Sequence, residues 1–234
     1  MPETTSLFNK VADRYDLLNS IFSFGMDRFW RRRLSQETNS PRLLLDIATG
    51  TAEVAINVIN LWSECRAIGI DPSKKMLDFA RAKLKMLRVD EKITLVEGIA
   101  ESLPFKDASF DTITIAFGIR NTVDSLASLK EMNRVLEPGG IVGILEFSVP
   151  RNRFFASLYI SYIRNMFPLF GSFFGKRNAY QYLVDSIPIF PQRDSFTKLM
   201  EEAGFTVKKQ IELTMGTVII YVGVKEKPES WKQK

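Results

Sequence analysis

Asp46, Gly50 and Thr51 lie in Leu45-Asp46-Ile47-Ala48-Thr49-Gly50-Thr51-Ala52-Glu53, where an apolar run gives way to a turn of small residues. Asp71 closes a second apolar run in Gly69-Ile70-Asp71. A tight turn after a strand lets a ligand approach the backbone at a helix N-terminus, and an acid ending the neighbouring strand can accept two hydrogen bonds from a ribose diol. Singly, Asp46 and Gly50 read as turn formers and Asp71 as a cap for the helix after Pro72. In combination they read as a nucleoside site. Arg120-Asn121 follow a later apolar run and Glu146 nearly ends another, offering a cation, an amide and a carboxylate at equivalent positions.

The 234 residues include no histidine. That excludes histidine acid–base chemistry, Ser-His-Asp and Cys-His triads and the commonest transition-metal ligand, so no metal site is expected. Proton transfer falls to carboxylates, Tyr, Lys or water. The single Cys65 makes no internal disulfide, which fits a reducing cytoplasm. A net charge of +5 permits an anionic partner without requiring one. An NAD-binding turn would need G-x-G-x-x-G, of which only Gly50 is present. S-adenosylmethionine has no phosphate, and an acid beside its amino acid portion suits it better.

The elements that position these residues follow from periodicity. Short apolar runs at Leu43–Ala48, Cys65–Ile70, Ile93–Val96, Asp111–Phe117 and Ile141–Phe147 predict strands, with helices at about 51–62, 73–88 and 124–136. This alternation predicts an α/β doubly wound, parallel sheet. Phe8 to Phe22 reads as an amphipathic helix, followed by a short one through Phe29, Trp30 and Leu34. A final helix near Ser195–Ala203 precedes runs at Thr206–Leu213 and Val218–Val224 that pair as a hairpin. The expected organisation is one domain: N-terminal helices (1–40), a cofactor-binding core (41–150), an aromatic-basic insertion (151–192), the last helix and hairpin (193–224) and a tail. No targeting segment is evident, and no apolar stretch reaches the ~20 residues that span a bilayer.

The chain resembles the class I, Rossmann-like S-adenosylmethionine-dependent methyltransferases. Within them it is similar to the ubiquinone/menaquinone biosynthesis C-methyltransferases over nearly its whole length. The resemblance is carried by Phe8-Asn9-Lys10-Val11-Ala12-Asp13-Arg14-Tyr15-Asp16-Leu17-Leu18-Asn19, Phe117-Gly118-Ile119-Arg120-Asn121, Leu136-Glu137-Pro138-Gly139-Gly140, Leu145-Glu146-Phe147-Ser148, and Tyr182-Leu183-Val184-Asp185-Ser186-Ile187 followed by Phe190-Pro191. It implies cofactor contacts at Thr51 and Asp71, an adenine pair at Ile99-Ala100, and a contact at Ala116. Ile99 stands where members commonly have Asn or Asp, and Ala116 where some have Ser.

The reaction so implied is attack by a ring carbon of a demethylated polyprenyl quinol, naphthoquinol or benzoquinol, on the methyl donor. If the hydroquinone pKa is about 10, like tyrosine's, ionising it at neutral pH is worth ~4 kcal/mol. Arg120 and Asn121, at the carboxyl edge, are the candidates to stabilise the hydroquinolate, the alternative for Arg120 being a surface ion pair with Asp124 or Glu131. Glu146 is the candidate proton acceptor or else a buried structural acid, and Tyr15 lies on a helix resembling the family's lid.

Between Arg151 and Arg177, phenylalanines and tyrosines alternate with five cations and no acid. This segment is either a helical cap for the core or a channel for the isoprenoid tail rimmed by cations facing anionic lipid. The expected partners are a polyprenyl quinol and a membrane surface, at the inner face of the membrane, with no nucleic acid; a homo-oligomer is compatible with the pattern. The competing readings are an NAD-linked oxidoreductase, a methyltransferase of small aromatics, lipids or nucleic acids, and a non-catalytic lipid-binding module on the same fold.

Overall fold

Apolar runs covered on both faces become parallel strands. In the computed structural model, which describes residues 20–21, 23–173 and 185–227, these are β1 (Leu43–Ile47), β2 (Arg66–Asp71), β3 (Ile93–Glu97), β4 (Phe110–Ala116) and β5 (Leu136–Phe147). β6 (Phe205–Leu213) and β7 (Val218–Lys225) form the expected hairpin, and β7 runs antiparallel against β5. The single sheet has the order β3-β2-β1-β4-β5-β7-β6, so the strand order reverses between β1 and β4. Ligands bind such sheets outside the carboxyl ends at that crevice.

The helices are α1 (Met26–Gln36), α2 (Glu53–Leu61), α3 (Lys74–Leu87), α4 (Ser125–Val135), α5 (Arg153–Phe173) and α6 (Asp194–Glu202). Trp30 and Leu34 of α1, Val58 of α2 and Leu84 of α3 share one core cluster with Leu44 and Ile220. Leu129 and Met132 of α4, with Phe196 and Met200 of α6, share a second with Ile113 and Ile144. Each fully buried side chain of this size stabilises the fold by about 1.5–3 kcal/mol.

The structure departs from the sequence-based expectation at the start of β5. β5 begins at Leu136 rather than Ile141: Phe110 pairs with Leu136 but Thr112 with Ile141, so Pro138-Gly139-Gly140 is absorbed as a bulge instead of ending the approach to the sheet. The helix expected at about 73–88 is α3, which begins at Lys74 behind the cap Ser73, whose side chain accepts from Met76 N at 3.1 Å. In line with the expected helix set, β3 and β4 are joined by a loop containing an Ile99↔Ser102 bridge, without a helix. The helix expected over 8–22 lies almost wholly outside the described residues, as does Tyr15. No described helix is long and apolar enough to cross a membrane.

Candidate functional site

The turn after β1 is stitched to β2. Thr49 N donates to Ile70 O (3.1 Å) and Gly50 N to Asp71 Oδ2 (2.9 Å). A Cβ at Gly69 would lie 2.9 Å from the Thr49 side chain, so this close approach needs glycine there. Ala48, Gly50 and Ala52 all adopt positive φ, at 51°, 55° and 64°. For the two alanines that is stored backbone strain of the kind that collects at functional sites. Asp46 sits beneath the turn, buried, and accepts from Thr49 Oγ1 (2.6 Å) and Thr114 Oγ1 (2.7 Å). Burial pushes its carboxyl up to about 6, against the pull of those hydroxyls.

Asp71 does not cap α3 through its helix; Ser73 does. Instead Asp71 Oδ1 accepts from Ser73 N (2.8 Å) while Oδ2 takes Gly50 N, so the carboxylate bridges the two loops that border the crevice. Burial raises it too to about 6, with the Ser73 and Gly50 amides opposing.

A cleft of about 790 Å³, open to solvent, is lined by Asp71, Ile99, Ala100, Ala116, Gly118 and Asn121 among others, and no described lining residue is basic. A smaller recess of about 330 Å³ shares Ala48, Gly50 and Ala116 with it and adds Arg31, Asp46 and Thr51. Asn121 Nδ2 donates to Phe117 O (3.1 Å) and Glu101 Oε1 accepts from Val123 N (2.7 Å). Asn121 Oδ1 and Glu101 Oε2 are buried without a partner among the described residues. An apolar wall for a flat ring, a carboxylate for a diol and orphaned acceptors for an amine fit an adenosine. A diphosphate confined to the larger cleft would meet no cation among its described lining residues.

Arg120 lies in the 3₁₀ turn Ile119–Asn121 that follows β4. Its guanidinium donates to Glu146 Oε1 and to Phe117 O (3.2 Å), and its Cζ stands 5.2 Å from the Phe147 ring centroid. The Arg120 and Glu146 side chains are only 3% and 1% exposed. Asp124 instead caps α4 at Ala127 N (3.0 Å), and Glu131 pairs with Arg134 (2.7 Å), so neither makes the surface pair considered for Arg120. Burial raises Glu146, and the Arg120 charge opposes the rise without cancelling it. The half-buried Tyr159 of α5 is near enough to feel both charges, and burial pushes its hydroxyl above the usual range. Phe117 completes the wall, its ring centroid 4.4 Å from that of Phe147 and 6.1 Å from that of Trp30.

The sequence-predicted residues Asp46, Gly50, Thr51, Asp71, Ile99, Ala100, Ala116 and Asn121 therefore gather around the cleft and recess, with Arg120 and Glu146 beside them as one unit. Tyr15 lies outside the described residues. Arg31 and Glu101 were not singled out by sequence reasoning, and Tyr159 only as one ring of the aromatic segment. For Arg31 a signal existed: it is one helical turn from Asp27 and next to the inward-facing Trp30.

The sequence model of the ubiE/COQ5 methyltransferase family matches residues 3–225. The chain is 42% identical over 223 residues to the ubiquinone/menaquinone biosynthesis C-methyltransferase UbiE of Geobacter sp. (strain M21), covering 94% of this chain and 95% of that protein. It is 37% identical over 228 residues to a demethylmenaquinone methyltransferase of Chlorobaculum tepidum, covering 94% and 91%. A solved SAM-dependent methyltransferase from Thermotoga maritima, described as a possible histamine N-methyltransferase, superposes with a TM-score of 0.67 at 21% identity, covering 95% and 100%. One from Aquifex aeolicus gives 0.60 at 15%, covering 86% and 92%. These structural likenesses speak for the Rossmann-like methyltransferase fold. With a family match over nearly its full length, the chain belongs to the ubiE/COQ5 methyltransferase family.

Proposed function

We propose that the protein methylates a ring carbon of a demethylated polyprenyl quinol, demethylmenaquinol or the related 2-methoxy-6-polyprenyl benzoquinol, with S-adenosylmethionine as methyl donor. The observation that carries this reading is a largely apolar cleft, bordered by the Asp71 carboxylate, beside a buried guanidinium–carboxylate pair. When bound, the donor supplies an electrophilic methyl group on its sulfonium. Asp71 holds the ribose, Ile99 and Ala100 flank the base, and Thr51 and Asp46 line the recess for the amino acid end.

Arg120 and Glu146 act on the quinol. Glu146, lifted by burial, takes the hydroquinone proton, and Arg120, relieved of its partner's charge, stabilises the quinolate oxygen. Net charge is conserved: an ion pair and a neutral quinol become a neutral acid, a guanidinium and a phenolate. Because a guanidinium is always protonated, Arg120 cannot itself be the acceptor.

A quinol with a long isoprenoid tail resides in a bilayer, and the proposed place of work is the inner face of the membrane, approached from the cytoplasm. Support comes from Phe24, Phe154 and Leu158, which are 78%, 67% and 53% exposed, with Arg153 and Arg164 exposed on the same helix as the latter two. Arg151 contributes less, because it is tied to Glu212 at 3.0 Å. Purified protein incubated with S-adenosylmethionine and vesicles containing each demethylated quinol should yield a product heavier by one methylene unit in mass spectrometry. Failure with both quinols would overturn the reading.

A further inference from the structure

We propose that Arg31 binds the carboxylate of the methyl donor's amino acid portion, in the smaller recess, opposite Asp46. The inference deepens the nucleoside reading above and rests on it. α1 carries Arg31 to the floor of the recess, where it shares the lining with Asp46, Thr49, Gly50, Thr51 and Ala116. Its guanidinium spends one N–H on Asp27 Oδ2 (2.5 Å) and makes no other hydrogen bond among the described residues. Asp27 is in turn held by Ser20 Oγ (3.1 Å) and Ser23 Oγ (3.0 Å), which fixes the rotamer of its partner. The Arg31 Cζ stands 5.5 Å from the centroid of Phe117, a residue of the main cleft, so the cation bridges cleft and recess.

Both charges of an amino acid are matched there. Asp46 faces an ammonium from one side, and the unused N–H groups of Arg31 face a carboxylate from the other, in the forked geometry that favours carboxylates. The other acid of the recess, Glu53, is already neutralised by Lys83. α2 begins at Glu53, and its first turn faces the recess, where the Ala55 backbone amide already donates to Asp46. A purely structural Arg31 would satisfy Asp27 and add nothing to the recess. Here Arg31 also lines the recess, and its guanidinium makes no hydrogen bond other than that to Asp27 among the described residues.

The test uses two thioether probes on the full chain. S-adenosylhomocysteine carries the amino acid; 5′-methylthioadenosine presents the same nucleoside without it. Calorimetric titration of Arg31→Met should show affinity for S-adenosylhomocysteine reduced at least about tenfold and affinity for methylthioadenosine unchanged. The double variant Asp27→Asn, Arg31→Met removes the buried acid that the single change leaves unpaired and should give the same selective loss. Arg31→Lys, which keeps a charge beside Asp27, should lose less. Equal losses for both probes would show that Arg31 only supports α1, and unchanged S-adenosylhomocysteine binding would also overturn the proposal. If the parent chain binds neither probe, it is the nucleoside reading itself that fails.

Discussion

Arg120 and Glu146, 26 residues apart, form one ion pair buried to within a few per cent at the carboxyl edge of β4 and β5. Neither can be removed without leaving the other buried and without its ion-pair partner. Glu146→Gln keeps the shape but removes the proton acceptor, so turnover on a quinol should fall about 10²-fold or more while S-adenosylhomocysteine affinity stays within about threefold. Arg120→Ala should lower turnover comparably and also destabilise the fold by about 3–5 kcal/mol, because a buried carboxylate is left unpaired. The double variant Arg120→Met, Glu146→Leu should recover most of that stability without activity. Urea unfolding alongside quinol turnover checks all three.

Asp71 sets a pH dependence. With its carboxyl raised to about 6, it is charged above that pH and protonated below it, so affinity for S-adenosylhomocysteine should fall as pH drops through about 6. The stability linkage has the opposite sign. An acid whose folded pKa exceeds its unfolded value of about 4 contributes stability that is full below 4 and lost as pH rises through 6. Between neutral pH and about 5, acid should therefore weaken binding while Asp71 and Asp46 themselves favour folding. Asp71→Ala should cost at least about tenfold in affinity at neutral pH in a folded protein. Unchanged calorimetric affinity would remove Asp71 from the site.

Gly118 joins the two loops of the cleft by contact. A Cβ there would lie 2.5 Å from Ala48 Cβ and 3.1 Å from Ile115 Cγ1. Gly118→Ala must push the strained turn after β1 away from β4, at about 1–3 kcal/mol. The expected result is a lower denaturation midpoint and weaker nucleoside binding together, because the displaced turn carries Gly50 and Thr51. Normal affinity in the variant would show that the turn is free to move without cost.

The exposed rings and cations of α5 predict salt-sensitive docking. Each cation near an anionic leaflet contributes roughly 1 kcal/mol, screened by salt, whereas Phe154 and Leu158 add an apolar component that salt does not screen. Arg153→Glu, Arg164→Glu should reduce co-sedimentation with anionic vesicles and lower activity on a vesicle-embedded quinol more than on a tail-less one. Sedimentation equal to the parent's would assign the segment to tail binding or packing alone.

The alternation of apolar runs with amphipathic ones was enough to predict a doubly wound sheet, because burial on both faces favours near-continuous apolar residues within each strand. The turn around Gly50 and the acid Asp71 were equally legible, since strand, turn and helix start are contiguous in the chain and their chemistry is local. What tertiary structure alone decided was pairing. Sequence offered Arg120 as a quinolate stabiliser or a surface partner of Asp124 or Glu131, and Glu146 as a separate acid, and only the β4–β5 register brings the two into one buried pair. Likewise Arg31 reads as one of three consecutive arginines until α1 packs against the sheet and turns that one, and not the exposed Arg32, toward Asp46. A charge is buried only where a distant element supplies its counter-charge, and no local periodicity records which element that will be.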